Sequence, residues 1–136
     1  MRFNSLIPEL SVHDLKKSKE FYTKIIGFTI NYEREGFAFL SLGNAQVMLD
    51  EIGKSRTWKT GKFERPLGRG INLQIRVDKI APLLASLSKK KNKLFLKPEE
   101  KWYSVGKVQT VNKQFLVQDP DGYLLRFFED LGTRKA

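Results

Sequence analysis

Gln118–Asp130, QDPDGYLLRFFED, is the stretch on which the fold turns. Asp119-Pro120-Asp121-Gly122 is a turn signal, because proline presets φ at one turn position and glycine accepts positive φ at another. The residues after it alternate as a strand does. Tyr123, Leu125 and Phe127 fall on one face, and Leu124, Arg126 and Phe128 on the other. Arg126 is thus a charge between apolar neighbours on its own face, and a charge so placed needs a partner: a carboxylate, water or a ligand.

The stretch has an echo earlier in the chain. Gly43-Asn-Ala-Gln-Val-Met-Leu-Asp-Glu-Ile-Gly53 aligns with Gly122-Tyr-Leu-Leu-Arg-Phe-Phe-Glu-Asp-Leu-Gly132. Upstream, Leu10-Ser-Val12-His-Asp14-Leu15 matches Ile75-Arg-Val77-Asp78-Lys-Ile80. A chain that repeats its opening and closing phrases reads as two copies of one module. Module one covers about residues 1–53 and module two about 69–132. A connection over 54–68 joins them in a single domain.

In module one, Phe3–Val12 alternates as a strand, with Pro8 arguing for an edge or bulge. Asp14 is placed to cap a helix carrying Leu15, Phe21, Tyr22, Ile25 and Ile26 at helical spacing, and Gly27 closes it. Phe28–Glu33, Phe37–Leu42 and Ala45–Glu51 are strands, separated by Glu35-Gly36 and Gly43-Asn44 turns. In module two, Gly70–Val77 alternates cleanly, Asp78 is the expected helix cap, and Pro82 suits a first helical turn. Leu83, Leu84 and Leu87 give the buried stripe. Leu94–Leu96 is a short strand, Glu99–Asn112 a long connection that pairs only in part, and Lys113–Gln118 leads into the turn. Each module reads β, α, β, β, β. The fold class is α+β, with two βαβββ modules forming curved, mostly antiparallel sheets around a concave cleft and helices outside.

The composition excludes several function classes. The 136 residues include no Cys, so there are no disulfides and no thiolate metal sites. No apolar run approaches the ~20 residues of a membrane span. The opening MRFNSLIPEL lacks the apolar core of a signal peptide, and a cytoplasmic protein is expected. The net charge is +10. It suits either a basic surface for nucleic acid or an anionic ligand, or a generally lysine-rich solvated surface. The lysines are scattered, and Lys89-Lys-Lys-Asn-Lys93 lies where cations complement a helix end, which favours the solvated surface. No helix-turn-helix, RNP-like or zinc pattern accompanies the charge, so nucleic acid is not the expected partner.

The faces opposite the helices would line the concave surface with Ile7, Glu9, Ser11, Asn72, Gln74, Arg76, Leu124, Arg126 and Phe128, and with Val47 by analogy to Arg126. Aromatics mixed with a few polar groups suit a small-molecule site. Phe37, Phe39, Trp58, Trp102 and Phe128 offer stacking surfaces, and Glu9, Asn72, Gln74, Arg76 and Arg126 polar anchors. Phe37 and Phe39 read equally well as sheet core. Arg126 could instead be neutralised by Glu9 or another acid. His13 reads as a surface residue.

The spacing of Val12, Asp14, Leu15, Phe21-Tyr22 and Gly27-Phe28, with the closing DPDG-x-L-x-x-F, resembles the vicinal-oxygen-chelate superfamily. That superfamily includes glyoxalase I, bleomycin-resistance, fosfomycin-resistance and extradiol dioxygenase proteins. The resemblance spans essentially the whole chain. It implies a divalent-metal site at four strand positions, which here hold Ile7, Val47 or Leu49, Asn72 and, in place of the usual glutamate, Arg126. None is a good ligand, and an arginine repels a cation. The similarity is closest to the metal-free bleomycin-resistance branch, whose homodimers sequester a drug in a cleft. It implies the same here for an antibiotic or another aromatic or anionic ligand, with no cofactor and no catalytic residue. The alternative is a divalent-metal-dependent glyoxalase- or dioxygenase-like enzyme, which would need Glu9, Asp50 or Glu51 as ligands.

Overall fold

The computed structural model describes residues 2–54 and 58–135. The chain forms two compact units. Unit one holds the residues up to Leu67 together with Asp119–Gly122, and unit two holds Gly68–Gln118 with the chain from Tyr123 onward. The DPDG turn therefore packs with module one, although its flanking strands belong to module two.

Unit one contains β1 (Glu9–Val12), α1 (Leu15–Glu20), which continues as a π-helical turn over Phe21–Ile26, then β2 (Thr29–Arg34), β3 (Phe37–Leu42) and β4 (Ala45–Glu51). Unit two contains β5 (Asn72–Arg76), α2 (Ala81–Lys89), β6 (Leu94–Val105), β7 (Val108–Gln118) and β8 (Leu124–Lys135). The sheets have matching orders, β1-β4-β3-β2 and β5-β8-β7-β6. In each, the first and last strands pair in parallel and the other pairs are antiparallel. This is the α+β architecture expected from the repeated βαβββ phrase. No helix among the described residues is long and apolar enough to cross a membrane.

In unit one, Val12, Ala38, Leu40, Val47 and Leu49 are buried with Leu15, Phe21 and Ile26 of the helix. In unit two, Ile75, Phe115, Val117, Leu125 and Phe127 are buried with Leu83 and Leu87 of α2. Phe115 and Phe127 stack with centroids 5.7 Å apart. Burial of apolar area on one face of each sheet is the main term favouring each unit.

Several expectations change. The first strand is shorter than Phe3–Val12: the Pro8 carbonyl still accepts from the Met48 amide at 2.9 Å, but Pro8 has no N–H to carry the ladder further, and Leu6 is 83% exposed. Residues 2–4 are instead tied to β4: the Asn4 amide donates to Gln46 Oε1 at 2.7 Å, Gln46 Nε2 donates to the Arg2 carbonyl at 2.6 Å, and Asn4 Nδ2 to the Asn44 carbonyl at 2.6 Å. Ile71 stays exposed and β5 begins one residue later. The connection expected over Glu99–Asn112 is a long hairpin, β6 to β7. Its β6 is an edge strand, and that position tolerates Pro98 beside a break in the ladder.

Asp14 caps α1 as expected, its Oδ1 accepting from the Lys17 amide at 3.1 Å. Asp78 does not cap α2; the N-cap position is Ile80, which has no side-chain oxygen. Its N–H donates to Glu129 Oε1 at 3.1 Å, from β8. Unit one uses the same device, with the Leu15 amide donating to Glu51 Oε2 at 2.7 Å. In both units an acid of the last strand satisfies a backbone donor at the start of the helix.

That shared device corrects the alignment of the echo. Leu10 pairs with Leu49, and Ile75 pairs with Phe127. Leu49 therefore corresponds to Phe127, Glu51 to Glu129, and the counterpart of Arg126 is Met48 rather than Val47 or Leu49. The one-residue slip arises inside the strands: Leu49 lies six positions after Gly43, whereas its equivalent Phe127 lies five after Gly122, so equating the two turn glycines sets the strands out of phase.

The Leu15 amide, and after it Lys54 with Nζ 3.0 Å away, hold the Glu51 carboxyl below its usual 4.5. A lowered folded-state value means that the charged carboxylate stabilises the fold above the ordinary value, and that this contribution is lost as pH falls through the depressed one. Glu51→Gln is expected to lose about 1 kcal/mol at neutral pH. In urea unfolding at stepped pH, the gap from the parent should close only below pH 4.5. A gap constant down to pH 2 would show that the charge is not what matters.

Candidate functional site

The face of the unit-two sheet opposite its apolar core carries the expected polar residues. Strand parity puts Leu124, Arg126 and Phe128 of β8 on this face, half-buried, while Leu125 and Phe127 are in the core. Gln74 pairs in register with Arg126, and Arg76 with Phe128. Arg126 Nη2 donates to Gln74 Oε1 at 2.5 Å. Nη1 lies 3.4 Å from the Tyr103 hydroxyl oxygen. The Tyr103 hydroxyl and the side chain of buried Gln114 contact one another, at 2.9 Å from Gln114 Nε2 and 3.2 Å from Oε1. Gln114 Nε2 also approaches Glu99 Oε1 at 3.4 Å. Arg126 Nε is buried and meets no acceptor among the described residues.

The guanidinium is therefore held by an amide and a phenol. The ion pairs found in this unit lie elsewhere, Arg76 with Asp130 at 3.8 Å and Lys79 with Glu129 at 3.5 Å. Tyr103, Gln114 and Glu99 were not among the expected site residues. Reading β6 as a strand would have found Tyr103; its partners need the register of the hairpin.

Other expected members are placed differently. Trp102 neighbours Tyr103 along β6, so strand parity sends it to the other face, where the Arg134 guanidinium carbon sits 3.1 Å over its ring. Asn72 is exposed at the start of β5. In unit one, Phe37 and Phe39 are both buried. Tyr32 stacks on both, at 5.8 Å and 5.2 Å between centroids, Phe3 meets Phe39 edge-on at 5.2 Å, and Arg34 lies 3.8 Å over Phe37. These rings form an internal aromatic stack, the sheet-core alternative of the sequence reading, and are not open stacking surfaces. Trp58 is exposed in the connection, and Glu9 is exposed on β1. A separate polar depression of about 430 Å³ in unit one is lined by Arg2, Asn4, Gly43, Asn44 and Gln46, none of them an expected site residue.

His13 is not a plain surface residue. Its amide donates to Asp121 Oδ1 at 3.0 Å and its Nδ1 lies 2.6 Å from the same oxygen. Tyr22 donates to Asp119 Oδ2 at 2.7 Å, Arg65 Nη1 to the Pro120 carbonyl at 2.6 Å, and the Leu67 amide to the Asp121 carbonyl at 2.9 Å. The acids of the DPDG turn thus anchor it to the helix and connection of unit one.

The profile of the Glyoxalase/Bleomycin resistance protein/Dioxygenase superfamily matches residues 3–127. The chain belongs to that superfamily. It is 28% identical, over 92% of its length and 96% of the relative's, to a bleomycin resistance protein of Geobacillus stearothermophilus, and equally to one of Staphylococcus aureus. Among solved structures, a protein from the mobile metagenome of V. Pseudocholerae superposes with TM-score 0.71 at 19% identity, covering 95% of this chain and 96% of the other. The bleomycin resistance determinant of transposon Tn5 gives 0.63 at 18%, covering 95% and 99%. At these identities the structural likeness carries the fold.

The divalent metal used by the superfamily's enzymes finds no fitting donor set here. With the corrected register the four positions hold Ile7, Met48, Asn72 and Arg126: an alkyl chain, a thioether, a carboxamide and a cation. Hard or borderline cations require imidazole or clustered carboxylate. Among the described residues no three His, Asp or Glu side chains gather in a way that could hold a metal ion. Glu51, one acid the enzymatic alternative requires, is already engaged by the Leu15 amide and Lys54.

Proposed function

We propose that this protein binds a small molecule and sequesters it without a metal, in the manner of bleomycin-resistance proteins, as a homodimer in the cytoplasm. The observation that carries the reading is Arg126. At the position where the superfamily's enzymes place a metal-binding glutamate, this chain has a guanidinium held by Gln74 and Tyr103. Such a centre can orient a ligand by hydrogen bonding, and it offers neither a Lewis acid nor a general base. The relatives named as bleomycin resistance proteins, matched over almost their whole length, support the binding role.

Thermal unfolding with bleomycin and a panel of aromatic acids tests this. A ligand at about a hundred times its Kd adds roughly 2.7 kcal/mol to stability, which a melting curve resolves. The expected result is a saturable rise in Tm for at least one compound. No rise with any compound would contradict the proposal.

A further inference from the structure

Resting on that reading, we infer that Arg126 anchors the negative end of the ligand, and that the molecule taken up is an aromatic carboxylate rather than a cation. Three observations converge on one face of unit two.

First, the charge of Arg126 is uncompensated among the described residues. A guanidinium is permanently charged and has five N–H donors. Here the partners are the neutral Gln74 Oε1 and Tyr103 Oη, and Nε–H, buried, reaches no acceptor of the protein. A partly buried cation with neutral partners favours an incoming anion, and a carboxylate matches the guanidinium fork in two parallel hydrogen bonds.

Second, the long-range field has the same sign. Unit two carries 14 Lys and Arg against 5 Asp and Glu, a net +9, whereas unit one carries 11 against 10, a net +1. Nearly all of the chain's +10 therefore surrounds Arg126's own sheet and draws anions toward it.

Third, the flanks of Arg126 are apolar. Leu124 and Phe128 precede and follow it on its face, and Leu116 pairs opposite it. A ligand with its carboxylate on Arg126 would lay a flat ring against Leu116 and Phe128, while the Gln74 amide and the Tyr103 hydroxyl remain as neighbouring polar contacts.

The test uses an isosteric pair, 1-naphthoate and 1-naphthamide, titrated calorimetrically into the full chain and into Arg126→Gln and Arg126→Lys. The expected result is at least tenfold tighter binding of the acid than of the amide, a preference that weakens with added salt. Arg126→Gln should abolish the preference, the acid losing more affinity than the amide, and Arg126→Lys should keep part of it. Should the glutamine variant not fold, the acid–amide ratio and its salt dependence in the parent still decide. Equal binding of both compounds, or a preference that survives in Arg126→Gln, overturns the assignment of Arg126 while leaving small-molecule binding intact. If neither compound binds and bleomycin does, the carboxylate class is wrong and the binding function stands. If bleomycin and the aromatic acids also fail, both inferences fall.

Discussion

Gly122→Ala is expected to destabilise the protein by roughly 3–5 kcal/mol, combining backbone strain with overpacking. Gly122 has φ +98°, a region that side-chain-bearing residues rarely enter. A Cβ there would sit 2.5 Å from Pro66 Cβ and 2.7 Å from Pro66 Cα, and 3.3 Å from the Leu67 nitrogen. Two of these three atoms are backbone, so no side-chain rotation relieves the clash. The turn cannot simply lift, because the Leu67 amide is bonded to the Asp121 carbonyl at 2.9 Å. Gly132→Ala is the control. Its φ is +100°, but a Cβ there meets nothing within 4 Å, so it should show the strain alone, about 1–2 kcal/mol. Urea unfolding of both variants separates the two terms; equal losses would mean that the turn does not press on Pro66.

The second large effect is expected at Asp121, which is 2% exposed. Its carboxylate takes the His13 amide and lies against His13 Nδ1, and its other oxygen is 3.4 Å from the hydroxyl of fully buried Ser18. Arg65, 3.7 Å away and largely exposed, adds little. Asp121→Ala strands the donors around a buried site and should cost about 3 kcal/mol. Asp121→Asn keeps one acceptor oxygen and should lose less. A loss from Asp121→Ala below about 0.5 kcal/mol, the range of an inconsequential surface change, would show that the turn is held by packing alone.

These two residues show why part of the molecule was legible in the sequence and part was not. Strands β3 and β4 were read to the residue, because each is a short, largely apolar run bounded by a two-residue turn containing glycine. Gly27 as the helix terminator and Asp14 as its cap were equally local signals. By contrast, Asp121 and His13 lie 108 positions apart, and nothing near either residue announces the other. The cap of α2 failed for the same reason: Asp78 has the right chemistry in the right place, but Glu129 comes from a strand 49 positions away from Ile80 and takes the role.

The hairpin of β6 and β7 was read only in part, because β6 is exposed along most of its length and contains a proline. An edge strand with little to bury shows no alternation of polarity. That omission removed Tyr103 and Gln114 from the expected site and put Trp102 on the wrong face. Arg126 and Gln74 were legible because parity within one strand sets the face and parallel pairing of first and last strands makes them neighbours.

Elemental analysis of protein purified without a metal-affinity tag tests most directly whether this chain keeps the superfamily scaffold with a guanidinium in place of the metal-binding glutamate and no metal. Zinc, manganese, nickel and iron are all expected far below one atom per chain. One atom of any of them per chain would contradict that expectation.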